Sequence, residues 1–141
     1  VVSAVLFVGL IIVYRVTLHW TIVWVVPLLG IQIILSLAVV LLGSTLNVLY
    51  RDIRFVVPLA TQLWMYATPI VYPVDLVPDQ LRFIYYLNPM AVVIEGYRRA
   101  ILSGVPPDGL GVGLACAVSV VLLVLSYRIF KQLEPTFADI I

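Results

Sequence analysis

The chain has 141 residues, of which 64% are hydrophobic and only 11% are charged, and its formal net charge is +1. Soluble globular domains carry about 25% charged residues, so this composition excludes that class and favours a protein whose solvent is the lipid bilayer. The near-neutral charge provides no basic patch for nucleic acid, and a single cysteine and a single histidine exclude an internal disulfide and a metal site built from several such residues.

Four hydrophobic stretches follow one another along the chain, and a helix needs about 20 apolar residues to span a bilayer. They cover residues 1–14, 21–50, 53–73 and 110–130. The first is too short, and the chain opens within it without an initiator methionine, so we expect a truncated span in a piece of a longer protein. The second is longer than a bilayer requires, so it must tilt or protrude into water.

The sequence YRDIR at residues 50–54 separates the second stretch from the third. Placing Arg51, Asp52 and Arg54 at mid-bilayer would cost about 3 kcal/mol for each side chain, which favours a turn in water. In such a turn Arg51 lies at the C-terminal end of one helix, where a cation is favoured, and Asp52 caps the start of the next.

The third stretch has two unlike faces when its residues are placed at 100° per residue. The polar and aromatic face comprises Thr61, Trp64, Met65, Thr68 and Tyr72, and the opposite face comprises Val56, Leu59, Leu63 and Ile70. Aromatic rings stack on the apolar surface of sugars, and threonine hydroxyls exchange hydrogen bonds with them, so the first face is a candidate carbohydrate path. Its candidate residues are Thr61, Trp64, Thr68 and Tyr72. Ordinary packing between helices is the alternative.

Small and hydrogen-bonding residues form stripes on the second and fourth stretches. They are Gln32, Ser36, Gly43 and Asn47 on the second, and Gly109, Gly113, Ser119 and Ser126 on the fourth. Such residues allow helices to approach closely in lipid, so we expect packing at both stripes.

An amphipathic segment between the third and fourth stretches is too charged to span. Asn88 followed by Pro89 is a helix start signal, so the segment divides into helices at 79–87 and 89–102. Both would be shorter than the bilayer thickness. This favours two reentrant helices that enter and leave on one side, with a helical loop on the surface as the alternative.

The second of these short helices carries the charged residues Glu95, Arg98 and Arg99. Residues three and four positions apart share a helix face, so Glu95 can neutralise part of both arginine charges. One interpretation is a solvated helix, with Tyr85 and Tyr86 at the headgroup level. The other is a movable gate, in which Arg98 and Arg99 approach an anionic substrate group such as a diphosphate.

No stretch offers a nucleophile with a base, a phosphate-binding glycine loop or a metal cluster, so any energy source is expected on another subunit. Lysine and arginine residues divide four and four between the two sides, so charge does not set the orientation.

Three blocks of sequence carry a resemblance to a known family. They are LYRDIRFVVPLATQLWMYATPIVYPVDLVP, LNPMAVVIEGYRRAIL and YRIFKQLEPTFADII. In this order they resemble the permease subunits of polysaccharide ABC exporters, the type-2 family that exports O-antigen and teichoic acid. The resemblance covers residues 46–141 and implies the C-terminal half of an all-α, polytopic, six-span membrane protein. It places helices 79–87 and 89–102 outside, and YRDIR and the tail 131–141 in the cytoplasm.

The resemblance also implies a function and partners. Two permease copies and two separate ATPase subunits would move an undecaprenyl-diphosphate-linked glycan through the bacterial inner membrane, among membrane lipids. ATP and magnesium would bind the ATPase, and no cofactor or metal would bind this chain. Trp64 and Tyr72 match the aromatic lining of the family's channel. Arg51, Asp52 and Arg54 would form a secondary contact near the ATPase, with a simple capped turn as the alternative.

Other functions stay open on the sequence. A polytopic membrane enzyme acting on a polyprenyl phosphate could use the YRDIR cluster to bind a diphosphate or metal, although one carboxylate is few for a metal site. A structural membrane subunit, or a drug or lipid exporter permease of the same superfamily, also fits, because a fold does not fix its cargo. A neighbouring gene for a P-loop ATPase would favour export.

Overall fold

The computed structural model describes residues 9, 19–50, 52–68 and 88–138. Within these ranges all regular structure is helical, which confirms the predicted all-α class. A 3-10 turn, Trp20–Trp24, leads into helix α1 (Val25–Leu49), followed by α2 (Ile53–Ala67), α3 (Pro89–Arg98), a π-helical turn (Arg99–Ser103) and α4 (Gly109–Ala138). The predicted helix 79–87 and nearly all of the predicted span 1–14 lie outside the described residues.

Two helical segments are long and apolar enough to cross a membrane, namely Trp20–Leu49 and Gly109–Glu134. Helix α2 has 15 residues, or about 22 Å at 1.5 Å per residue. The sequence predicts that this span continues to residue 73, but residues 69–73 lie outside the described residues. Helix α4 continues past the predicted end of its span at residue 130, so residues 131–138 of the predicted tail are helical.

The core lies where α1, α3 and α4 meet, and the α1–α4 interface is the largest. The buried residues of α1 recur every three, four or seven positions: Leu28, Ile31, Leu35, Ala38 and Thr45. Ser119 and Ser126 of α4 are also buried, which confirms their predicted packing role. Gly109 and Gly113 are exposed, and a Cβ atom at either would meet nothing within 4 Å. These two glycines make no close helix contact with the described residues, so their predicted packing role stays a prediction.

Helix α3 lies close to α1 because position 96 is a glycine. A Cβ atom at Gly96 would lie 2.9 Å from the Cδ2 atom of Leu28, whose side chain is fully buried. Beside this contact the Tyr97 hydroxyl donates a hydrogen bond of 2.9 Å to the Gln32 side-chain oxygen. Burial raises the pKa of the Tyr97 phenol, so the group stays protonated and remains a donor. Gln32 thus packs against α3, as its stripe predicts.

The C-terminal end of α3 is anchored to the segment that precedes α1. The buried Thr21 hydroxyl donates to the Ala100 carbonyl at 2.8 Å, between residues 79 positions apart. Gly104 ends the π-helical turn in the left-handed region, with φ of +63°, a conformation that costs glycine least. A Cβ atom there would lie 2.7 Å from the His19 ring. The end of α3 is therefore fixed against the rest of the core.

YRDIR forms the predicted turn, because α1 ends at Leu49 and α2 begins at Ile53. Arg51 lies outside the described residues. Asp52 occupies the position before the helix, but its side chain makes no capping hydrogen bond, so the predicted cap is wrong. A capping side chain needs an extended backbone, whereas Asp52 has φ of −78° and ψ of −14°, in the helical region.

Candidate functional site

A groove of about 740 Å³ lies between α1 and α2 and reaches the first turn of α3. One wall is formed by α1, from Leu35 to Asn47, and the other by α2, from Arg54 to Thr68. Met90 of α3 contributes to one part of the lining. Most of the side chains of α2 are exposed in this chain, so α2 offers a surface that the core does not use.

The face of α2 predicted as a carbohydrate path is the face that lines the groove. Thr61, Trp64, Met65 and Thr68 all belong to the lining. The opposite aliphatic residues Val56, Leu59 and Leu63 do not, and they are exposed. Tyr72 and Ile70 lie outside the described residues. The role of this face in transport stays a prediction, but the predicted division of α2 into two faces matches the geometry.

The small and hydrogen-bonding residues of the stripe on α1 lie in two different environments. Gln32 packs against α3, whereas Ser36, Gly43 and Asn47 line the groove. A Cβ atom at Gly43 would meet nothing within 4 Å. Among the described residues these three face the groove, so their predicted role in close packing stays a prediction.

The hydroxyl groups of the groove are hydrogen-bond acceptors toward a ligand. Thr61 donates its hydroxyl hydrogen to the Val57 carbonyl at 2.8 Å, and Thr68 donates to the Trp64 carbonyl at 2.8 Å. Ser44 donates to the Leu41 carbonyl at 3.0 Å. A hydroxyl has one hydrogen and two lone pairs. Because each hydrogen is used within the chain's own backbone, the exposed oxygens of Thr61 and Ser44 can accept hydrogen bonds from sugar hydroxyls without donating to them, whereas Thr68 is 2% exposed.

The side chain of Asn88 joins the start of α3 to the end of α2. Its amide oxygen accepts from the Met90 backbone N–H at 3.1 Å and from the Trp64 indole N–H at 3.3 Å. Its amide nitrogen donates to the Thr68 hydroxyl at 3.1 Å. The predicted cap of α3 by Asn88 is thus confirmed. The contacts with Trp64 and Thr68 carry no sequence signal, since the partners are 24 and 20 residues away.

Arg54 is the charged residue among the described residues that line the groove. Its guanidinium lies 4.7 Å from the centroid of the Phe55 ring, a cation–π distance. Asp52 is exposed and does not line the groove. One end of α2 therefore presents a cation and the other presents the Trp64 ring.

The predicted gate residues of α3 lie away from the groove lining. Arg98 pairs with Glu95 at 2.9 Å, as their spacing predicts. Arg99 is half-buried beside Glu95 and Asp108, around a second cavity of about 40 Å³. Tyr85 and Tyr86 lie outside the described residues. It is the start of α3, through Asn88 and Met90, that meets the groove, and the structure does not bring its charged residues to the path face of α2.

A family model described as ABC-2 type transporter matches residues 1–102. An O-antigen export system permease protein, RfbA, of Klebsiella pneumoniae is 32% identical over 126 residues, which are 89% of this chain and 48% of the relative. The protein of the same name from Myxococcus xanthus is 30% identical over 122 residues, which are 85% of this chain and 47% of the relative.

A second RfbA sequence from Klebsiella pneumoniae is 30% identical over 128 residues, covering 90% of this chain and 48% of the relative. The chain thus spans about half the length of the curated relatives it matches. The family match includes α1, α2 and α3 and therefore the whole described lining of the groove.

Proposed function

This chain belongs to the ABC-2 type transporter family, and from that premise we propose that it forms part of the permease of an ATP-driven exporter for a lipid-linked polysaccharide. It is an all-α membrane protein with two described helices long enough to span. The proposed cargo is a glycan on undecaprenyl diphosphate, such as O-antigen or teichoic acid, moved across the bacterial inner membrane. The names of the relatives, which are O-antigen export permeases, support this class of cargo.

The observation that carries the proposal is the chemistry of the groove between α1 and α2. The Trp64 ring offers a stacking surface for a sugar ring, and the Thr61 and Ser44 oxygens offer acceptors for its hydroxyls. Each such contact is weak and repeats along a polymer of similar units. A surface of this kind lets a glycan advance from one contact to the next without being trapped.

We place the energy source on a separate subunit. The proposed ATP and magnesium sites lie on an ABC ATPase partner, which membership of the ABC-2 type transporter family supports. The proposed assembly contains two permease copies and two ATPase subunits. The turn with Arg51, Asp52 and Arg54 is proposed as a secondary contact near the ATPase, because it connects directly to α1 and α2, the two walls of the groove.

A second candidate is a permease of the same family that exports a lipid without a glycan. The specific observation in its favour is that most of the groove wall is apolar, with Val39, Val40, Val57, Pro58 and Met65 in the lining. An apolar wall fits a hydrocarbon chain as well as the apolar face of a sugar. The alternative of a polyprenyl-phosphate enzyme finds no support in the family, whose description is that of a transporter.

Reconstitution distinguishes these candidates. The whole permease and its ATPase are placed in liposomes with either lipid-linked glycan or the sugar-free diphosphate carrier in the ATPase-facing leaflet. A lectin measures the glycan that reaches the other leaflet, and a membrane-impermeant phosphatase measures the sugar-free carrier that reaches it. We expect ATP-dependent transfer of the glycan-bearing lipid and little transfer of the same lipid carrier without sugars. More transfer of the sugar-free carrier than of the glycan-bearing lipid would favour the lipid exporter. No transfer of either lipid would contradict the proposed function.

A further inference from the structure

We propose that Asn88 is a positioning residue, which fixes the Trp64 ring in the groove and makes the end of α2 and the start of α3 move together. Its consequence for transport rests on the proposed function, whereas its effect on Trp64 can be measured without any cargo. The three hydrogen bonds of the Asn88 side chain to Met90, Trp64 and Thr68 are called the Asn88 bridge below.

The directions of the hydrogen bonds in the Asn88 bridge determine one another. The indole N–H of Trp64 and the backbone N–H of Met90 can only donate, so both require the amide oxygen of Asn88. The amide nitrogen then faces Thr68, whose single hydroxyl hydrogen is already donated to the Trp64 carbonyl. Thr68 must therefore accept from Asn88. Each donor has one acceptor, so the orientation of the amide is fixed.

Trp64 is held at two points by the same network. Its ring donates to Asn88, and its backbone carbonyl accepts from the Thr68 hydroxyl that Asn88 also contacts. Thr68 is 2% exposed and Trp64 is half-buried. In a site with little water, an unpaired donor or acceptor is costly, which favours the complete network over a partial one.

The Asn88 bridge connects α3, which is packed in the core, to α2, which is mostly exposed. Helix α3 is fixed in the core by Val93, by the Gly96–Leu28 contact and by the hydrogen bond from Thr21 to Ala100. Helix α2 exposes most of its side chains. The side-chain hydrogen bonds between α2 and α3 converge on Asn88, so a displacement of α3 moves the Trp64 ring and changes that end of the groove.

Serine at position 88 separates the two roles of this residue. Serine caps helices about as well as asparagine, so Asn88→Ser keeps the start of α3. Its side chain is too short to reach both Trp64 and Thr68, so the bridge is lost. Aspartate keeps the acceptor for Met90 and Trp64, and its second carboxylate oxygen can accept from the Thr68 hydroxyl once that hydrogen turns away from the Trp64 carbonyl. Asn88→Asp should therefore keep the bridge with the direction of one bond reversed, and keep the position of Trp64.

The local test uses the whole permease with its ATPase in lipid nanodiscs and 5-fluorotryptophan in place of tryptophan. The fluorine NMR signal of residue 64 is identified by its loss in Trp64→Phe. We expect one narrow Trp64 signal in the wild type and in Asn88→Asp, and a shifted or divided signal in Asn88→Ser. An unchanged signal in Asn88→Ser would overturn the proposal.

The transport test measures glycan export and ATP hydrolysis with the same variants. We expect Asn88→Ser to lower export about tenfold through the loss of two hydrogen bonds, while permease-stimulated ATP hydrolysis persists. The double variant with Thr68→Val should be no worse than Asn88→Ser alone, because both changes break one network. A shifted Trp64 signal with wild-type export would overturn the role in transport.

Two further outcomes distinguish a failure of the positioning role of Asn88 from a failure of the proposed function. If the wild type exports no glycan but Asn88→Ser shifts the Trp64 signal, the proposed function fails and the positioning of Trp64 by Asn88 is supported. If Asn88→Ser does not insert, Asn88→Gly tests the same link, because glycine is also accepted at the start of a helix and has no side chain to reach Trp64 or Thr68. An unchanged Trp64 signal in Asn88→Gly would then overturn the proposal.

Discussion

Gly96 and Leu28 determine how closely α3 can lie to α1. Leu28 has no exposed surface and its methyl groups occupy the space where a side chain at position 96 would begin. A buried leucine has few alternative rotamers in a packed core, so an added side chain must displace the helix. Gly113 of α4 is the matched control, since none of the described residues lies within 4 Å of a Cβ atom placed there.

Gly96→Val should destabilise the permease by about 1–3 kcal/mol, because it overpacks the contact with Leu28. The measurement is the melting temperature of the purified permease in detergent. Gly113→Val is the control, also a helical glycine but one with room for a side chain, and it should leave the melting temperature nearly unchanged. Equal losses in both variants would contradict the contact with Leu28 as the cause, because valine has a higher helix propensity than glycine and propensity alone predicts no loss.

Thr21→Val should also destabilise the fold, by about 1–3 kcal/mol, because it leaves the buried Ala100 carbonyl without its donor. Thr45→Val is the matched control: both threonines are 1% exposed, but Thr45 donates within its own helix to Leu41. Denaturation of both variants in the same detergent provides the comparison. A loss in Thr45→Val as large as in Thr21→Val would contradict a role for the Thr21 bond in anchoring α3.

Asp52 and Asn88 show why residue type alone predicts a helix cap only in part. Both residues precede a helix, and both are good capping types. Asn88 has an extended backbone, with ψ of 104°, and its side chain accepts from Met90. Asp52 follows a short turn that leaves its backbone helical, so its side chain cannot point back over the helix start.

Asn88→Ala should therefore cost about 1 kcal/mol or more of stability, and Asp52→Ala should cost less than about 0.5 kcal/mol. The measurement is again denaturation of the purified permease, with each variant compared with the wild type. A loss on Asp52→Ala equal to that on Asn88→Ala would restore the capping role that the sequence predicts for Asp52.

The faces of α1 and α2 show a second limit on sequence reasoning. The division of α2 into a path face with Thr61 and Trp64 and an aliphatic face with Leu63 depends only on the 3.6-residue period, so the sequence predicts it. The prediction for Ser36 and Gly43 depends on how near the neighbouring helix lies, and small residues are equally compatible with close packing and with an open groove. Distance between helices is a property of the whole core, which periodicity does not contain.

Helices α1, α3 and α4 form a packed core, and α2 lies beside this core, with the groove between α1 and α2. Composition predicts the membrane class, and three blocks of sequence predict the family that the comparison confirms. The Asn88 bridge is not predictable in this way. It joins residues 20 and 24 positions apart in the chain, and no local sequence pattern predicts that contact.

Labelling of single cysteines on α2, in the whole permease without its native cysteines and with its ATPase, shows whether the groove is the glycan path. A water-soluble thiol reagent is applied to Thr61→Cys and to Leu63→Cys, with and without lipid-linked glycan. If the groove is the glycan path, position 61 should label faster than position 63, and the glycan should slow labelling at position 61 only. Equal labelling at both positions, or labelling at position 61 that the glycan does not change, would contradict the account.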